Sequence, residues 1–225
     1  MTSNQPNQPS GGARRDWKTR WERIHAEKDP TRVSWYQAHP EHSLGLIGET
    51  GVGTDAAIID VGGGASTLVD NLLDASYTNV TVLDIARTAI EQARTRLGGL
   101  AGKVSWVEGD ITTFASDRQY DIWHDRAVFH YLTEAEDRAR YLTVLGRTLK
   151  PEGHAIIATF SENGPSQCSG LEVVRYSPET LSDVLAPHLH LVETLVEEHH
   201  TPAGGVQQFV YCRFRRSGLD STVFP

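Results

Sequence analysis

After a polar opening stretch, apolar residues return along this chain in two rhythms, short β-rich runs and longer runs of helical period. The regular alternation begins at residue 56. Residues 56–61, 80–83, 104–107, 120–124 and 154–160 are strand-like, and 66–73, 86–97, 134–149 and 178–185 are helix-like between or after them. Strands alternating with helices are the pattern of βαβ units and a parallel sheet. Gly98-Gly99 marks the end of one helix, and Lys150-Pro151-Glu152-Gly153 is the expected turn before the fifth strand. The last two runs, 189–197 and 206–215, are both β-rich and are separated by Thr201-Pro202-Ala203-Gly204-Gly205, which predicts an antiparallel pair at the sheet edge. Ahead of the alternation, Trp17, Trp21 and Ile24 share a helical face up to Asp29-Pro30. Trp35 and Tyr36 follow in a loop, and a second helix starts near His42.

These runs divide the chain into a disordered tail over 1–13, a helical lid over 14–55 and a core over 56–225, together one domain. A formal net charge of -8 argues against general affinity for nucleic-acid backbone. No apolar stretch approaches membrane-spanning length, the polar start does not read as a secretory signal, and two cysteines are too few for a disulfide scaffold. The expectation is a cytoplasmic protein, monomer or homodimer, without nucleic-acid or membrane partners.

The sharpest local signal is Asp60-Val61-Gly62-Gly63-Gly64-Ala65-Ser66, between the first strand and the helix after it. Glycines there permit a tight turn and close ligand approach, and the helix amino terminus favours electronegative groups. Asp84 ends the second strand 24 positions after Asp60, near the spacing at which an acid meets ribose hydroxyls. Gly109-Asp110-Ile111 follows the third strand, where a carboxylate can accept from an adenine amino group or cap a helix.

Together these pieces resemble the class I S-adenosylmethionine-dependent methyltransferases over roughly residues 17–215. The resemblance implies a Rossmann-like, seven-stranded, mostly parallel α/β sheet with helices on both faces and an antiparallel carboxy-terminal strand pair. It implies S-adenosylmethionine as cofactor, with its amino-acid end at Asp60, Gly62 and Gly64, ribose at Asp84, and adenine at Asp110 with Ile111 packing on the ring. Ser66, Ile85 and Trp35 join this cofactor set, Ser66 replacing a further glycine. A dinucleotide dehydrogenase is the competing reading, disfavoured by Thr67 where its fingerprint wants glycine and by the terminal strand pair.

On the acceptor side, residues 121–131 crowd polar and aromatic groups at the end of the fourth strand. His124, Asp125 and Arg126 are candidates to line the transfer site and His130 is a candidate base, while Asp125-Arg126 also reads as an ion pair and His130 as a helix-surface residue. Tyr36, Trp123 and Cys168 are the candidate acceptor contacts. The segment from Trp17 to Leu46 is similar to that of thiopurine, thiol and halide methyltransferases and of some protein-lysine methyltransferases. Trp17 and Trp21, at helical spacing, are assigned to the core. His199-His200 is no metal site, because adjacent side chains in extended chain point apart. The implied reaction is methyl transfer to a sulfur, nitrogen or oxygen nucleophile of a small molecule. The alternatives are a protein side chain (lysine) as acceptor, or a cofactor-binding regulator without turnover.

Overall fold

The computed structural model describes residues 16–186 and 189–218; the expected tail over 1–13 lies outside them. The strands are β1 (Ile58–Val61), β2 (Val80–Asp84), β3 (Ser105–Glu108), β4 (Tyr120–Arg126), β5 (Leu149–Phe160), β6 (Gln167–Cys168), β7 (Leu171–Glu172), β8 (Leu189–His200) and β9 (Val206–Arg216). The helices are α1 (Trp17–Glu27), α2 (Glu41–Gly48), α3 (Leu68–Asp74), α4 (Arg87–Leu97), α5 (Ala135–Thr148) and α6 (Pro178–Leu185). Seven strands form one sheet in the order β3-β2-β1-β4-β5-β9-β8, parallel from β3 to β5 and antiparallel across β5-β9-β8. This is the expected Rossmann-like mixed sheet.

Every residue of β1 and β2 is buried, as in a sheet covered on both faces. Strand alternation sends Ile59 and Trp123 into one apolar layer with Tyr141, Leu145 and Leu181, and Ile58 and Ile122 into the opposite layer with Leu46, Leu68 and Leu72. The chain reverses its direction of travel across the sheet between β1 and β4, and the crevice outside their carboxyl ends is where this topology accepts ligands. Among the described residues no helix is long and apolar enough to cross a membrane.

Three details differ from the expected elements. The fifth strand begins at Leu149, and the expected turn survives inside it as a bulge: Tyr120 pairs with Leu149, Ile122 pairs with His154, and Glu152 has φ 65°. The polar run after Phe160 contains the β6-β7 hairpin. In β8 the register shifts between Leu191 and Glu193, so Val192 is one residue more than β9 can match.

Candidate functional site

The site begins at the glycine loop. Gly62 has φ 69°, and a Cβ there would stand 2.2 Å from Val128 Cγ2, so backbone conformation and packing both require glycine. A Cβ on Gly63 would meet the Asp60 carboxylate and one on Gly64 would meet Asp84 and Ala89, which presses the loop onto both acids. Ser66 Oγ accepts from the Leu68 N–H at 3.1 Å and satisfies a first-turn donor of α3.

Asp84 Oδ2 accepts from Gly64 N–H at 3.0 Å and Oδ1 from Ala86 N–H at 2.8 Å, while burial pushes its pKa up to about 6. Asp110 Oδ1 accepts from the N–H and hydroxyl of Thr112 at 2.8 and 2.7 Å. Asp60 Oδ1 bonds His124 Nδ1 at 2.7 Å, and His124 Nε2 bonds Ser43 Oγ of α2 at 2.9 Å. The second Asp60 oxygen, Oδ2, is buried without a partner.

One cavity of about 940 Å³ follows the carboxyl edge of the sheet. Asp60, Gly62, Ser66, Asp84, Ile85, Asp110 and Ile111 line it over β1 to β3, and His124, Arg126, Trp35, Tyr36 and Cys168 line it over β4 onward. Its amino-terminal wall is aromatic. Trp21 packs edge-on to Tyr131 at 5.2 Å and to Trp35 at 6.0 Å, Trp17 lies 6.1 Å from Tyr131, and His25 lies 6.2 Å from Trp35. Trp17 and Trp21, assigned to the core from their spacing, therefore line the cavity while resting on the apolar layer.

Four expected site residues do not line the cavity. Gly64 acts behind it, on Asp84. Trp123 and Asp125 face α5: Trp123 Nε1 donates to Tyr141 OH at 2.8 Å, and Tyr141 OH donates to Asp125 Oδ2 at 2.7 Å. Asp125 Oδ1 takes the Val128 and Phe129 N–H groups, so this acid shapes the turn after β4, and burial raises its pKa to about 6. His130 is fully buried against Tyr131 and Phe160, its pKa lowered to about 3 by burial and then by the Arg126 charge. It is neither a helix-surface residue nor in reach of the cavity.

Arg126 makes no ion pair with Asp125. Its Nε donates to Tyr211 OH at 2.7 Å, Nη1 donates to the Trp35 carbonyl at 3.0 Å, Nη2 stands 3.6 Å from Glu197 Oε2, and the guanidinium lies over Phe209. Glu197 also accepts from Tyr211 OH at 2.9 Å and Gln37 Nε2 at 2.7 Å, and His199 Nε2 bonds the Ser34 carbonyl. Residues 34–37 are thus fastened to the terminal strand pair. His199 is buried and its neighbour His200 exposed, on opposite sides of the strand.

Sequence reasoning assigned no role to Ser43, Glu197 or Tyr211, whose partners lie 81, 71 and 85 residues away at His124, Arg126 and Arg126. At the other end, Glu22 of α1 accepts from the Arg87 and Thr88 N–H groups and the Thr88 hydroxyl, capping α4, which has no side-chain cap of its own.

Residues 59–155 match a family described as a methyltransferase domain. A ubiquinone biosynthesis O-methyltransferase of Rickettsia bellii is 26% identical over 123 residues, covering 55% of this chain and 50% of that protein. Nodulation protein S of Rhizobium tropici is 27% identical over 135 residues, covering 60% and 56%. The chain spans about half the length of the curated relatives it matches. Among solved structures, one described as the conversion of a disulfide bond into a thioacetal group during echinomycin biosynthesis has a TM-score of 0.74 at 19% identity, covering 92% of this chain and 95% of that one. The N-methyltransferase NodS of Bradyrhizobium japonicum, in complex with S-adenosyl-L-homocysteine, has a TM-score of 0.67 at 21% identity, covering 88% and 97%. From β1 into β5 the chain thus carries a stretch that matches a methyltransferase domain, and its fold is similar to that of a methyltransferase solved with S-adenosyl-L-homocysteine bound.

Proposed function

We propose that the protein transfers the methyl group of S-adenosylmethionine to a sulfur, nitrogen or oxygen nucleophile of a small molecule. The observation that carries this reading is the single cavity joining an acidic, glycine-lined half over β1 to β3 with an aromatic half over β4 onward. Bound cofactor supplies an electrophilic methyl on a sulfonium centre. The residues present fit it. Asp60 offers a buried unpartnered oxygen beside the glycine loop, suited to the amino-acid end. Asp84 offers a carboxylate for the ribose hydroxyls, and Asp110 with Ile111 offers an acceptor and an apolar face for adenine.

The expected lid, described from residue 16 to 55, excludes water and orients the acceptor in this reading. His124 has both ring nitrogens engaged, and Asp125 and His130 are sealed from the cavity, so these three act through position and not as proton carriers. Calorimetric titration with S-adenosylmethionine and S-adenosylhomocysteine tests the reading. Asp84→Asn keeps the size of the side chain that Gly64 and Ala86 lean on and is expected to weaken both ligands at least about tenfold, a charged hydrogen bond's worth. Absence of saturable binding by the folded wild type overturns the proposal. A methyl-transfer assay over thiols, amines and phenols separates it from a regulator without turnover.

A further inference from the structure

The aromatic half of the cavity has a definite electrostatic character. Its walls come from the β4, β5 and β9 side of the sheet and from α1 with the loop after it: Trp21, His25, Trp35, Tyr131 and Cys168. Each titratable group among them is held neutral at pH 7 by burial: His25 has its pKa lowered to about 4, and the Tyr131 hydroxyl and Cys168 thiol are both pushed upward. Of the cations on this side, Arg126, its side chain 10% exposed, donates to Tyr211 OH and the Trp35 carbonyl, lies over Phe209 and has its Nη2, without a hydrogen bond, 3.6 Å from Glu197, while Arg20 donates to the Ser169 carbonyl. Also lining the cavity, Glu136 and Asp137 pair with Arg140, and Glu134 is exposed. The acids Asp60, Asp84 and Asp110 lie over β1 to β3, in the other half.

From this electroneutral aromatic lining we infer that the acceptor is a flat, uncharged aromatic or heteroaromatic molecule, seated against Trp21, Trp35 and Tyr131. The inference rests on the proposed methyl transfer and narrows its substrate class. An anion entering this half gives up its hydration and meets a guanidinium already balanced by Glu197. An ammonium group gives up its hydration against Trp21, Trp35 and Tyr131 and gains chiefly the cation–π attraction of their faces. A flat neutral ring gives up little and gains edge and face contacts with three aromatic side chains. A lysine side chain, which arrives as an ammonium, fits poorly.

The test uses the full-length protein saturated with S-adenosylhomocysteine and titrated calorimetrically with three probes of one ring system: 2-naphthol, 2-naphthoate and 2-naphthylmethylammonium. The expected result is that 2-naphthol binds at least about tenfold more tightly than either charged probe. Trp21→Ala should weaken 2-naphthol at least about fivefold and Trp21→Phe should largely restore it, since the ring and not the indole N–H makes the wall. Tightest binding of 2-naphthoate overturns the inference in favour of anion recognition by Arg126, and tightest binding of the ammonium probe overturns it in favour of an ammonium cage. It also falls if S-adenosylhomocysteine binds and none of the three probes does. Failure of S-adenosylhomocysteine itself to bind counts against the methyltransferase reading and is seen before any probe is added.

Discussion

At the carboxyl end of β4, consecutive residues part company. Side chains alternate across a strand, so His124 and Arg126 reach the cavity while Trp123 and Asp125 enter the layer beneath α5. His130, one turn further on, is sealed in apolar surroundings, and its titration becomes a matter of stability. Its pKa is about 3 in the folded protein against about 6.5 in an unfolded chain. Between those values the unfolded chain binds a proton that the folded one refuses, so stability falls as pH falls through this window. His130→Phe should therefore lose less thermal stability than wild type between pH 7 and pH 5, by about 2 kcal/mol or about 4–8 °C, read by calorimetric melting. Equal losses in the two proteins would show that His130 is reached by solvent. The alternation that separates His124 from Asp125 was available in the sequence, but only to a reading that carried the strand on to residue 126. Ending it at His124 gathered four polar residues into one supposed loop. The acids and glycines that line the cavity over β1 to β3 were legible because each stands at or just beyond the carboxyl end of a strand. Glu197 and Tyr211 were not, because only the folded sheet brings them to Arg126.

Among the elements, α1 and α4 depend on each other. Helix α4 begins three residues after Asp84, the last residue of β2, and Glu22 of α1 accepts from its first two N–H groups. A carboxylate at a helix amino terminus gains from both the hydrogen bonds and the helix dipole. Glu22→Ala should cost about 1–2 kcal/mol in urea unfolding, and Glu22→Gln should recover part of that. Most strands and helices were legible in the sequence, because burial on both faces gives β1 and β2 continuous apolar runs and gives the helices a clear period. The β6-β7 hairpin and the bulge over residues 150–153 were not, since two-residue strands and bulges leave no periodic trace.

On the scale of the whole molecule, the amino-terminal segment is fastened at several places, among them α4 through Glu22, β4 through Ser43, and the terminal strand pair through Glu197 and His199. Glu197 is the most consequential of these, because it is 8% exposed and stands beside the partly buried Arg126. Glu197→Ala should destabilise the protein by about 3–5 kcal/mol, the cost of a buried charge left alone, and Glu197→Gln by less. Hydrogen exchange over residues 33–37 should rise in both variants even where the protein remains folded. Unchanged exchange there would mean that the loop is held by Trp35 and its ring neighbours alone.

The unmatched Val192 bears on how such molecules meet one another. β8 is the outermost strand, twelve residues long, with Leu191, Val192 and Val196 exposed, a profile that invites a neighbouring chain to add a strand of its own. The extra residue breaks the edge in two. Side chains before it and after it belong to opposite phases of the pleat, so an incoming straight strand aligned with one half is out of step with the other. An apolar border that would otherwise offer one continuous template is thereby divided into two shorter stretches, with Leu191 and Val192 at the break and Val196 beyond it.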